Sequence, residues 1–201
     1  MQVYLIRHGE TDWNLEGKCQ GISDRPLNET GRRQAEAVAR HLREGEFEAF
    51  YASSLCRAYE TASIIAQGHG QEVQRTDFLW ELNQGVFEGC TFPELAGNHG
   101  GFLKEWRRSP ADLKMPGGES MQELQNRASG ELERIVQRHP TGNVVVVGHN
   151  LCNVTLLCWA MKMDLNNFRH IRQDVAAINI IEFGGRWAHP VVVKLNDTCH
   201  L

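Results

Sequence analysis

Apolar positions along this chain follow two periods, and the switches between them mark out the elements. Residues 2–6 are a short apolar run rich in strand formers and predict a buried strand. From Asn28 to Arg43 the period becomes helical: Ala35, Val38 and Leu42 share one face, with arginine and glutamate on the other. Residues 48–52 predict a second strand. Residues 55–67 predict a second helix, with Ala58, Ala62 and Ile65 in register. Ser120 opens the clearest helix. It forms a capping box with Glu123, its apolar stripe runs Met121, Leu124, Ala128, Leu132 and Ile135, and Pro140 lies just past its end. Val144–Val147 is a continuous β-branched run, as in a central strand covered on both faces. Residues 151–161 predict a buried helix, and 176–183 and 190–195 two strands hinged as a hairpin at Gly184-Gly185.

Between these elements, residues 81–119 carry Gly85, Gly89, Gly97, Gly100, Gly101, Gly117 and Gly118, with helical pattern only over 102–108. They predict a loop-rich insertion over one end of the sheet, and loops of this length in a compact domain are usually functional. The order of elements predicts an α/β fold: a three-layer α/β/α sandwich around a mostly parallel central sheet. With 201 residues and no break in composition, the chain reads as one domain, 1–201.

Composition narrows the function classes. Apolar residues are 41% and charged residues 23%, ordinary globular values, and the formal charge of −4 gives no basic field for nucleic acid. The N-terminal apolar run is too short for a signal peptide or a membrane span. Six cysteines stand at irregular spacing with no Cys-x-x-Cys pair, which predicts reduced thiols and a cytoplasmic location. Nine histidines show no His-Glu-x-x-His or comparable ligand spacing, so no metal and no cofactor is expected.

The candidate chemistry lies where ligands bind in such sheets, beyond the carboxyl ends of the strands. The first strand runs into Arg7-His8-Gly9-Glu10-Thr11, and the central strand into Gly148-His149-Asn150. Two histidines thus occupy matching strand ends. A guanidinium directed inward at Arg7 needs an anion, either an acidic side chain such as Glu10 or Glu81, or a phosphate held by bidentate hydrogen bonds. Arg57, in the first turn of the second helix, opposes the helix dipole unless an anion sits between.

Arg7-His8-Gly9-Glu10-Thr11 with Trp13-Asn14 and Gly17 resembles the signature of the histidine phosphatase superfamily, which includes the cofactor-dependent phosphoglycerate mutases. The likeness continues through Gln20-Gly21, Asp24, Pro26-Leu27, Gly31, Gln34-Ala35, Ser53-Ser54-Leu55, Arg57 and Thr61-Ala62. It then takes in Glu81-Leu82, Gly85, Gly89, Gly117-Gly118-Glu119-Ser120 and Val147-Gly148-His149. It spans nearly the whole chain. The resemblance implies that His8 is a nucleophile that becomes phosphorylated, that Arg7, Arg57 and a protonated His149 surround the phosphate, and that Glu81 protonates the leaving oxygen. It places Asn14, Gln20 and Gly21 at the substrate. The tail from Lys194 to Leu201 is similar to the ends of metal-independent phosphoserine phosphatases and α-ribazole phosphatases. The expected substrate is therefore a small phosphate ester: phosphoserine-like, α-ribazole phosphate or a sugar phosphate.

Two other readings stay open. Arg107-Arg108 resembles the paired arginines with which mutases of this superfamily hold a bisphosphate; together with Lys104 and Lys114 it otherwise suggests a lid for a second anionic group such as a carboxylate. Against a mutase, Leu82-Asn83-Gln84 follows Glu81 where the mutase pattern has Arg-His-Tyr. A non-catalytic phospho-ligand or protein-binding module is the third reading, and a homodimer is compatible with all of them. Neither a nucleic acid nor a membrane is an expected partner.

Overall fold

The computed structural model describes residues 1–185 and 189–201. In chain order its strands are β1 (Gln2–Arg7), β2 (Ala49–Ser53), β3 (Val73–Thr76), β4 (Val144–Gly148), β5 (Ile178–Glu182) and β6 (Val191–Asp197). Its helices are α1 (Asp12–Leu15), α2 (Glu29–His41), α3 (Cys56–Gln67), α4 (Phe92–Arg108), α5 (Met121–Arg138) and α6 (Asn150–Ala160). The strands form one sheet in the order β3-β2-β4-β1-β5-β6. The β3, β2, β4 and β1 strands are parallel, and β5 and β6 join antiparallel.

Alternation along the strands builds the layers. Val144 and Val146 of β4, with Val3 and Leu5 of β1, pack against α5 and α6 through Leu124, Leu132 and Leu156. Val145 and Val147, with Ile6 and Phe50, pack on the other side against Val38, Ala58, Ala62 and Ile65 of α2 and α3. This explains the unbroken valine run: both faces of β4 are covered. Among the described residues no helix is long and apolar enough to cross a membrane.

The insertion is more helical than expected. A capping box of Thr91 and Glu94 starts α4, which bends at His99 (φ −134°, ψ 30°) and resumes to Arg108. The glycines at 97, 100 and 101 lower helix propensity and concealed its first half. β3 was also missed. It is a four-residue edge strand, Val-Gln-Arg-Thr, without apolar alternation. β5 and β6 pair as expected, but their connection runs through residues 186–188, outside the described residues.

Candidate active site

Parallel pairing of β1 with β4 puts Arg7 opposite Gly148, so the two chains leave the sheet side by side and deliver His8 next to His149. Their ring centroids lie 5.2 Å apart, edge to face. The His8 backbone is held on both sides: its N–H donates to Gly148 O at 3.1 Å and its carbonyl accepts from Ala176 N at 3.1 Å. His8 Nδ1 lies 2.6 Å from Gly9 O. A carbonyl only accepts, so Nδ1 carries the proton and Nε2 keeps its lone pair for the cavity that His8 lines. The backbone here permits no larger residue. A Cβ on Gly9 would sit 2.3 Å from Gly31 O at the start of α2.

Two arginines flank this pair. Arg57, fully buried, donates through Nη1 to Ser23 O (2.9 Å) and through Nη2 to Gly21 O (2.8 Å), so Gly21 serves through its carbonyl. Arg7 donates through Nη1 to Gln173 O at 2.6 Å. Neither of these bonds goes to a carboxylate. Glu10, one candidate partner of Arg7, instead accepts from Asn28 Nδ2 at 2.9 Å. The Nε groups of both arginines and both ring nitrogens of His149 are buried without a protein partner. Buried polar groups left this way are costly and point to a ligand or ordered water that satisfies them.

Burial, reinforced by Arg57 and Arg7, pushes the His8 pKa well below its ordinary value. Burial does the same to His149, with Arg57, His8, Arg7 and Arg127 adding to it. Both shifts favour the neutral imidazole, and an incoming anion would favour the charged form of His149.

Glu81, 6% exposed, lies across the start of α6. Leu82 N–H (2.9 Å) and Cys152 N–H (3.0 Å) donate to its Oε1, and Leu151 N–H (3.0 Å) to its Oε2. Its segment is clamped from behind. Arg127 of α5 donates to the carbonyls of Phe78, Trp80 and Glu81 at 2.9, 2.9 and 3.0 Å. The same guanidinium pairs with Glu119 at 2.5 Å, and Glu119 accepts from Asn83 N at 2.9 Å. In the sequence Glu119 stands only within the Gly117-Gly118-Glu119-Ser120 motif, and Arg127 sits on an ordinary helical pattern with no local signal of this role.

These groups adjoin a cavity of about 380 Å³, which the fully buried His149 does not itself line. Arg7, His8, Asn14, Gln20, Gly21, Arg57 and Glu81 all line it. Asn14 Oδ1 accepts from Thr11 N–H at 3.1 Å, and Asn14 Oδ1 and Gln20 Oε1 each lie 3.0 Å from Thr11 Oγ1, whose single proton serves one of them at a time. The remaining wall is aromatic, with Trp13, Phe87, Phe92, Phe102, Trp106 and Phe168. Arg107 and Arg108 are not part of it. Trp106 faces the cavity, and the next two residues of the helix turn away, leaving both arginines exposed. Lys104 is exposed and Lys114 pairs with Glu123 at 2.8 Å. Besides Arg7 and Arg57, the cations that line the cavity are Lys18 and Arg169, the latter stacked 4.5 Å from the Trp106 ring centroid. All six cysteines are unpaired, and burial pushes the Cys19 thiol in the wall up to about 11, away from nucleophilic thiolate chemistry.

Residues 3–198 match the model of the histidine phosphatase superfamily (branch 1). The chain belongs to this superfamily. Phosphoserine phosphatase 1 of Hydrogenobacter thermophilus is 33% identical over 201 residues, covering 100% of this chain and 94% of that protein. A probable phosphoglycerate mutase, GpmB, of Cronobacter sakazakii is 34% identical over 207 residues, covering 100% and 95%. Among solved structures, Bacillus stearothermophilus YhfR superposes with a TM-score of 0.92 at 31% identity, covering 99% of this chain and 98% of that one. This histidine phosphatase thus matches these three relatives over nearly their whole length, and its paired histidines lie where the two central parallel strands end.

Proposed function

We propose that this histidine phosphatase hydrolyses a small phosphorylated metabolite through a phosphohistidine intermediate, without a metal. The observation that carries the reading is the buried cluster of Arg7, His8, Arg57 and His149, with donors that lack protein acceptors and a nucleophilic Nε2 on the cavity. His8 Nε2 attacks phosphorus in line with the leaving oxygen. Arg7, Arg57 and His149 stabilise charge on the equatorial oxygens, where positioning and electrostatics supply most of the catalysis. The dianion favours a proton on His149. Glu81 donates a proton to the leaving alkoxide, and its carboxylate then takes one from the water that attacks phosphohistidine. Asn14 and Gln20 offer amide N–H groups to the ester.

The aromatic wall selects among substrates. Its rings offer much to an apolar leaving group, so an α-ribazole phosphate-like ester with a flat ring fits them better than phosphoserine, whose carboxylate is left to Lys18 and to Arg169, already stacked on Trp106. For the mutase reading, the 34% identity to the GpmB protein is the favouring observation. Opposing it, Arg107 and Arg108 lie away from the cavity. Residues 1–201 act as one domain, and every proposed group comes from one chain, so turnover needs no second subunit. Six unpaired thiols support a reducing, cytoplasmic setting.

Acid-quench trapping with labelled substrate tests the reading. A base-stable, acid-labile adduct is expected in the native enzyme and none in His8→Ala. An acid-stable adduct, or substantial turnover by His8→Ala, removes the phosphohistidine. Phosphoryl transfer between phosphoglycerates in place of phosphate release would establish the mutase.

A further inference from the structure

Among the described residues, one group of His, Cys and acidic side chains brings its donor atoms together away from the catalytic cavity. His41 ends α2, Asp197 ends β6 and Cys199 follows in the tail, with ligand atoms all within 4.8 Å of one another. None of the three lines the cavity. We propose that His41, Asp197 and Cys199 form a binding site for a zinc-class divalent cation.

Three features beyond proximity point to a cation. First, the donor set is one imidazole, one thiolate and one carboxylate, which suits zinc and its neighbours rather than the oxygen-seeking magnesium or calcium. Tetrahedral zinc holds such donors roughly 3.3–3.8 Å apart, given bonds of about 2.0–2.3 Å. His41 and Cys199 are exposed, and the Cys199 thiol already hydrogen-bonds to Asp197, so rotation of exposed side chains can close that gap. Second, His41 is the last residue of α2, where unpaired carbonyls and the helix dipole favour positive charge. Third, His200 stands beside the group, its ring centroid 5.5 Å from that of His41. His200 Nε2 lies 3.1 Å from Ala176 O, so Nε2 carries the proton and Nδ1 holds a lone pair. That Nδ1 is buried with no partner. A cation on the three ligands gives this lone pair a nearby positive charge and, with a small ring movement, a fourth ligand.

A competitor is present. Lys194 Nζ pairs with Asp197 Oδ2 at 2.6 Å. The pair is part-buried, with the Asp197 side chain 15% exposed, so a cation has to share Asp197 with Lys194; Asp197 Oδ1, which accepts from Cys199 N–H at 2.9 Å, keeps a further lone pair for it. Binding forms a metal–sulfur bond and releases the Cys199 proton to solvent. It would fasten the tail to the end of α2. The tail also reaches Ala176, whose N–H holds the carbonyl of His8.

The test is titration of metal-stripped, full-length protein with Co2+, followed by displacement with Zn2+ under a chromophoric chelator. One equivalent is expected, with a near-ultraviolet thiolate-to-cobalt band and intense tetrahedral visible bands. Cys199→Ser should abolish the thiolate band. His41→Ala should weaken binding at least tenfold, and Lys194→Gln should tighten it. All three variants should retain wild-type circular dichroism and full phosphatase turnover in chelator. Absence of a thiolate band at micromolar protein and metal would overturn the proposal. So would a band that survives Cys199→Ser, which would assign the metal to other thiols such as Cys19 and Cys90.

Discussion

His8 and His149 hold their neutral forms against solvent because burial and two neighbouring guanidinium groups penalise the charged ring. The consequence for stability has a definite sign. Histidines of the unfolded chain take up protons near pH 6.5, while these two in the folded state do not. Stability therefore falls as pH drops below about 6.5, at most about 1.4 kcal/mol per pH unit for each histidine, until the folded-state pKa is reached. Urea unfolding midpoints between pH 7.5 and 5 should show this slope, and His149→Gln should flatten it; an unchanged slope would mean that His149 titrates normally. Glu81 makes a separate prediction. Glu81→Gln keeps the shape but cannot deliver a proton, so it should slow alkyl phosphates by about 100-fold or more and aryl phosphates far less. Equal losses would remove Glu81 as the acid.

At the scale of elements, the site depends on how α5 clamps the loop before α4. Arg127 binds the carbonyls of Phe78, Trp80 and Glu81 together with Glu119, and so holds the segment that carries Glu81. Arg127→Met leaves Glu119 without its partner and those carbonyls unsatisfied. The expected cost is about 2–4 kcal/mol in urea unfolding. Because Glu81 loses its placement, kcat should fall for alkyl phosphates more than KM rises; a stability loss with unchanged kcat would make Arg127 purely structural. Close approach between Gly9 and Gly31 is a second constraint. A Cβ on Gly31 would lie 2.1 Å from Glu10 O, so Gly31→Ala should push the His8 loop off the start of α2 and destabilise by about 1–3 kcal/mol.

For the whole molecule, a cationic anion site at the sheet end opens onto an aromatic wall from α4 and the segment carrying Phe168. Burying a flat leaving group against Trp106 should contribute about 1.5–3 kcal/mol. kcat/KM for an aromatic phosphate should accordingly exceed that for phosphoserine at least tenfold. Trp106→Ala should erase most of the difference while sparing phosphoserine. Chelators should leave turnover intact, since the cluster at His41, Asp197 and Cys199 lies outside the cavity.

The core strands and amphipathic helices were legible because their signals are local. An unbroken valine run marks a strand buried on both faces, and Ser120 with Glu123 caps its helix whatever surrounds it. The motif residues Arg7, His8, Arg57, Glu81 and His149 were legible through resemblance, and their common end of the sheet through the strand-end rule. Tertiary structure alone decided the rest. The neutrality of His149 arises from neighbours distant in sequence. Arg127 acts through carbonyls 46 to 49 residues away in the chain. The exclusion of Arg107 and Arg108 from the cavity depends on the rotation of α4, which turns Leu103 and Trp106 inward, while Arg169 reaches the cavity from the segment carrying Phe168. Local pattern specifies which element forms, but burial, electrostatic environment and facing direction are properties of the packed whole.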